Sequence, residues 1–172
     1  FLVANKISKT IGRVSLCHAL NSLGGVHSEF TITKESENSF YLVSAGAYQR
    51  LDHDWIKKNM PTDDSVIFED LTNSKGVLVL AGPKSRELLS LLVDEDVSNN
   101  NFKFMDFKIM NVAGAPCLVN RITFTGDLGY EIWMEPSYER KVYTNIKSHG
   151  EKFGIVDFGV RALLSMRLEK NF

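Results

Sequence analysis

The stretch from Asn120 to Met134, N-R-I-T-F-T-G-D-L-G-Y-E-I-W-M, constrains the fold more than any other part of the chain. Through Phe124 it alternates polar and apolar residues with a period of two, the pattern of a half-buried strand. Gly126 and Gly129 bracket Asp127 and Leu128, and glycine supplies the positive φ that a tight return needs. Tyr130 to Met134 forms a second strand, apolar and aromatic, so the stretch predicts a β-hairpin. Glu131 is the anomaly in that strand. A lone carboxylate here is either a solvated residue on an outer face or an acceptor for a flat donor such as a guanidinium or an aminopyrimidine. The neighbouring glycines allow a ligand to approach the backbone closely.

A second stretch repeats this form. Leu20 to Thr33, L-N-S-L-G-G-V-H-S-E-F-T-I-T, runs through Gly24 and Gly25 into a strand that carries one carboxylate, Glu29. Gly12 to His18 alternates ahead of it, Lys34 to Ser39 is a polar turn, and Phe40 to Ala45 is a further strand. The period then changes. Tyr48, Leu51, Trp55 and Ile56 fall at helical spacing on an inward face, with Pro61 closing the segment. Residues 65–71 and 76–81 have strand composition and predict a hairpin across 72–75, and Gly82-Pro83 opens a helix that buries Leu88, Leu89, Leu91 and Leu92. Met105 to Val112 is a strand that turns at Gly114-Ala-Pro116. Ser137 caps a helix running to His149 with Tyr138, Val142 and Ile146 inward, and Asp157 caps a last helix with Val160, Leu163, Leu164 and Leu168 inward. Hairpins separated by helices predict an α+β fold of antiparallel sheets with packed helices.

Composition excludes several classes. The 172 residues suffice for one well-buried core. Lys and Arg number 20 against 21 Asp and Glu, giving a net charge of −1, and they are scattered, so neither nucleic acid nor a charged membrane surface is an expected partner. No apolar run approaches the roughly 20 residues that span a bilayer. Cys17 and Cys117 lie in apolar strands without a C-x-x-C partner and are expected to be reduced, buried thiols. The four histidines lack metal-ligand spacing, so no metal site is expected, and there is no dinucleotide fingerprint or phosphate loop.

Together with Ala81-Gly-Pro-Lys-Ser-Arg86 and Phe158 to Lys170, the two glycine-turn blocks resemble, in order and spacing, the folate-binding aminomethyltransferase family typified by the T-protein of the glycine cleavage system. Within it the resemblance is to the folate domains of dimethylglycine and sarcosine dehydrogenases. It covers essentially all of residues 1–172, as one folate-binding domain incomplete at both ends. The resemblance implies that tetrahydrofolate is the cofactor and a small amine the donor. It also implies a flavin domain in the full-length chain, and a cytoplasmic location or, in a eukaryote, the mitochondrial matrix. Glu29 stands at the second of two acidic positions in the T-protein pattern, that of a catalytic aspartate, with Ser28 at the first. Glu131 stands at the glutamate that binds the pterin, with Tyr130, Phe124 and Gly126 as neighbours that wall or admit the ring. The folate-contacting arginine of the family's last helix falls on Leu163 here, two residues after Arg161, and Arg167 is expected to bind structural carboxylates. The implied activity is uptake of a one-carbon unit to form 5,10-methylenetetrahydrofolate. Alternatives are a folate-binding module without amine chemistry, or a folate-dependent demethylase of a sulfonium.

Overall fold

A computed structural model describes residues 2–171. The described chain divides into two compact units, one up to Asp70 and one from Leu71, each with its own core, where its length predicts a single one. The fold class is the expected one: antiparallel sheets with packed helices.

The first unit is a three-stranded sheet in the order β1-β2-β3, from Val14–Leu20, Val26–Lys34 and Phe40–Val43. The β1–β2 turn follows from its residues. Gly24 takes φ +80°, and the Asn21 side-chain oxygen accepts from the backbone N–H groups of Leu23 and Gly25 at 3.0 and 2.9 Å. Cys17, Ala19, Phe30 and Ile32 line the core, and helix α1, Gln49–Asn59, adds Ile56 and part of Trp55. The inner face of α1 differs from the expected one. Leu51 and Tyr48 are exposed, while Asp52 is buried with neither carboxylate oxygen hydrogen bonded, so the helix is rotated from the register that its apolar residues predict.

The second unit is a four-stranded sheet in the order β4-β7-β6-β5, from Gly76–Ala81, Gly129–Met134, Ala115–Asn120 and Phe107–Val112. Helices α2, Ser85–Leu89, and α3, Pro136–Gly150, bury Leu88, Leu89, Val142 and Ile146 against Tyr130, Ile132 and Met134 of β7. Pro136 at the first position of α3 follows Glu135 as the cap, in place of Ser137. Ala113 and Gly114, at φ +52° and +72°, form the tight β5–β6 turn, so Pro116 lies within β6.

Three other expectations are corrected. Residues 65–71 form no strand: Ile67 and Val66 are exposed, an Asx turn joins Ser65 N–H to Asp63, and β4 takes the sequence-distant β7 as its partner. Strand-forming side chains without a neighbouring ladder leave extended chain. Helix α4, Val160–Glu169, is capped at Gly159, and none of its residues is buried, with Val160, Leu164 and Leu168 all exposed. Asp157 instead accepts hydrogen bonds from Tyr143 Oη and Lys147 Nζ, each at 3.1 Å, which holds its carboxyl below the usual range. The hairpin around Glu131 is wider than predicted. β6 ends at Asn120 and β7 begins at Gly129, leaving 121–128 as a loop.

Candidate functional site

The loop 121–128 is held by its own polar side chains. Thr123 Oγ1 donates to the Asp127 carbonyl at 2.7 Å, and Asp127 N–H donates to Thr125 Oγ1 at 3.3 Å. Gly126 takes φ +77°, the turn conformation expected of it. Gly129 has another role. A Cβ there would lie 2.5 Å from the Leu80 carbonyl and would collide with the Thr123 methyl, so the residue is glycine because β4 and the loop press against it. The alternation that suggests a strand through Phe124 belongs to residues that bond within this loop.

β7 lies between β4 and β6, and its residues alternate. Tyr130, Ile132 and Met134 enter the core, so Glu131 and Trp133 project from the opposite face. In register, Glu131 is opposite Val79 on β4 and Asn120 on β6. Trp133 Nε1 donates to Glu131 Oε2 at 3.3 Å, and Asn120 lies across the strand pair on the same face as the carboxylate. Burial pushes the Glu131 carboxyl above the ordinary carboxylate range, and Trp133 and Asn120 oppose the rise. Glu131 is half-buried and is not one of the pairs that form salt bridges in the described residues.

Tyr130 does not wall this site. It is fully buried on the other face of the sheet, its ring 5.7 Å from that of Phe102, because adjacent strand residues point to opposite faces. Phe124 is 45% exposed, and the Arg167 guanidinium sits 3.4 Å above its ring centroid. Arg167 also donates to the Phe124 carbonyl at 3.1 Å, and Lys170 pairs with Asp127 at 2.9 Å, so α4 is clasped to the loop. Arg167 therefore serves the loop that carries Phe124. In these contacts its partners are a ring and a carbonyl.

Glu29 occupies the middle of β2 in the first unit, and its setting is different. It is opposite His18 on β1, whose Nε2 lies 3.0 Å from Glu29 Oε2, and both side chains are about half exposed, at 42% and 51%. Asn5 supports that edge. Its Oδ1 accepts from His18 N–H at 3.2 Å, and its Nδ2 donates to the Leu16 carbonyl at 2.9 Å. Cys17 and Cys117 are buried free thiols, as expected, and burial raises both above their usual range. Sequence reasoning missed Asn120, Trp133 and His18. Trp133 had a signal, two residues from Glu131 on one strand. Asn120 and His18 meet their carboxylates only through strand register.

The second unit thus presents a half-buried acceptor carboxylate on a sheet face, and the first an exposed carboxylate on a strand behind a glycine turn. Both belong to an α+β architecture of small antiparallel sheets. Comparison with known proteins gives this class its family. The model of the GCVT N-terminal domain matches residues 1–172, and the chain belongs to that family. It is 36% identical over 172 residues to mitochondrial dimethylglycine dehydrogenase of Mus musculus, covering 99% of this chain and 20% of that protein. It is 34% identical over 170 residues to an aminomethyltransferase of Thermoanaerobacter sp. (strain X514), covering 98% of this chain and 45% of that protein. The chain therefore spans about a fifth to a half of the length of these relatives. In fold it matches the crystal structure of glycine cleavage system aminomethyltransferase T from Bartonella henselae, with a TM-score of 0.72 and 21% identity over 95% of this chain and 42% of that one. Among the described residues no helix is long and apolar enough to cross a membrane.

Proposed function

We propose that this chain is the tetrahydrofolate-binding part of a one-carbon transferase, in which folate takes a carbon from an N-methyl amine or aminomethyl donor to give 5,10-methylenetetrahydrofolate. The observation that carries this reading is Glu131: a half-buried carboxylate, raised by burial, held by Trp133 and Asn120 and without a salt-bridge partner among the described residues. Such a group fits a ligand that brings paired N–H donors, and a pterin offers an amino group beside a ring N–H. Glu131 holds the ring, Gly126 keeps the loop turn open beside it, and Phe124, backed by Arg167, gives the loop an aromatic edge. Folate supplies the amine nitrogen that accepts the carbon.

Glu29 supplies the charge for the transfer. Its exposed carboxylate attracts the cationic, already oxidised donor and takes up the proton that the folate nitrogen loses as the new carbon–nitrogen bond forms. The proton passes to the donor nitrogen as its bond to the carbon breaks and the amine leaves, and the second folate nitrogen closes the methylene bridge. Similarity to dimethylglycine dehydrogenase supports a flavin domain elsewhere in the full-length chain as the source of the oxidised amine, and a mitochondrial location. Calorimetric titration of tetrahydrofolate into the full-length protein tests the reading. The wild type binds, and Glu131→Ala weakens binding by about 2–5 kcal/mol, the cost of removing one partner from a buried charge-assisted pair. Wild-type protein that takes up no tetrahydrofolate overturns it.

A further inference from the structure

We propose that Asn120 is a positioning residue for Glu131: its buried amide fixes the carboxylate so that the acceptor sites left on it meet a ligand's paired N–H donors. The proposal rests on the reading of Glu131 as a ligand acceptor. Asn120 is the last residue of β6 and lies directly across from Glu131, with Phe107 on its other side. It is 2% exposed and shares a sheet face with Glu131, whose carboxyl it holds lower than burial alone would, while its Oδ1 is buried with no partner.

That arrangement is unfavourable for folding alone. A buried acceptor left unpaired loses its hydration without compensation, and an apolar side chain of similar size avoids the loss. What the amide adds is a donor aimed at one carboxylate. Trp133 supplies a second donor from the next outward position of β7. A carboxylate offers about four lone-pair sites, so two donors from the protein leave about two for a ligand, enough for one bidentate contact. With both donors in place the carboxylate plane is set before the ligand arrives. Without Asn120 the group pivots about its side-chain bonds and ionises less readily in its partly buried setting.

The test uses the full-length protein with tetrahydrofolate as the probe. Asn120→Leu removes the donor and the unpaired acceptor together, and Asn120→Asp keeps the shape while removing the donor. Affinity is read by calorimetry and stability by Tm, with Glu131→Ala as the control. Asn120→Leu is expected to bind at least about tenfold more weakly, the scale of a lost hydrogen bond to a charged group, with Tm unchanged or higher. Asn120→Asp binds more weakly still, because it places a second acid beside Glu131, and it carries the test if the leucine variant does not fold. Affinity within about threefold of wild type in both variants, alongside a weakened Glu131→Ala, overturns the role of Asn120 and leaves Glu131 standing. Parallel loss of Tm and affinity in both variants overturns it in favour of a structural role. Unchanged binding in Glu131→Ala overturns the proposal together with the reading beneath it.

Discussion

Glu29 and Glu131 are both single carboxylates on antiparallel strands that follow a glycine-containing connection, yet the two units treat them differently. Glu29 is exposed, and it meets a histidine that is itself half exposed. Glu131 is half-buried, bonded by an indole N–H, flanked by Asn120, and pushed upward by burial. An exposed acid is hydrated, free to move, and screened, so it binds weakly and serves best where charge or a proton must move. A partly desolvated, preorganised acid binds strongly to a matched donor pair. On the proposed function, that difference suits Glu131 to anchoring a ligand and Glu29 to moving charge or a proton.

The largest effect that sharpens this comparison is on the rate of transfer. Glu29→Gln in the full-length protein is expected to slow the transfer step by about 10²-fold or more, the scale of general acid–base assistance, in single-turnover measurements. An unaltered rate makes Glu29 a solvated strand residue. Next is Gly129→Ala. The new methyl meets the Leu80 carbonyl and the Thr123 side chain, so unfolding in urea is expected to show a loss of about 1–3 kcal/mol, as for overpacking, with weakened folate binding because β7 carries Glu131. Wild-type stability would show that the β4–β7 contact yields easily. A smaller effect comes from pH. The ligand's N–H donors need the ionised carboxylate, and the Glu131 carboxyl is raised above the ordinary range. Affinity should therefore fall as pH drops through that raised value, by about tenfold per unit below it, and level off above it. The sign for folding is opposite: an acid bound more tightly to its proton in the native state costs stability as pH rises from the ordinary carboxylate range to the raised one. Glu131→Gln removes both dependences, and an affinity profile unchanged by that substitution contradicts the assignment.

The features legible in the sequence were those fixed by local chemistry. The Asn21–Gly25 turn, the β2–β3 hairpin, the inward face of α3 and the two buried cysteines all follow from residues within a few positions of one another. The hairpin at 120–134 was found, but its width was not. Threonines that alternate like strand residues bond instead to one another and to Asp127. Residues 65–71 have strand composition, and whether they pair depends on β7, more than fifty residues away, whose two edges are taken by β4 and β6. Buried Asp52 contradicts the apolar face its helix predicts. Glu29 and Glu131 stood out as lone charges in apolar runs. His18 and Asn120 did not, because register alone brings them to those charges. Tyr130 was misplaced for a similar reason: adjacency to Glu131 in sequence puts it on the opposite face.

The central claim is the division of labour between the two carboxylates, and parallel calorimetry of tetrahydrofolate with Glu29→Gln and Glu131→Gln full-length protein tests it most directly. Glu29→Gln is expected to bind within about tenfold of wild type, or 1.4 kcal/mol, while Glu131→Gln loses well beyond that margin. Equal losses in the two variants, or the larger loss in Glu29→Gln, would contradict it.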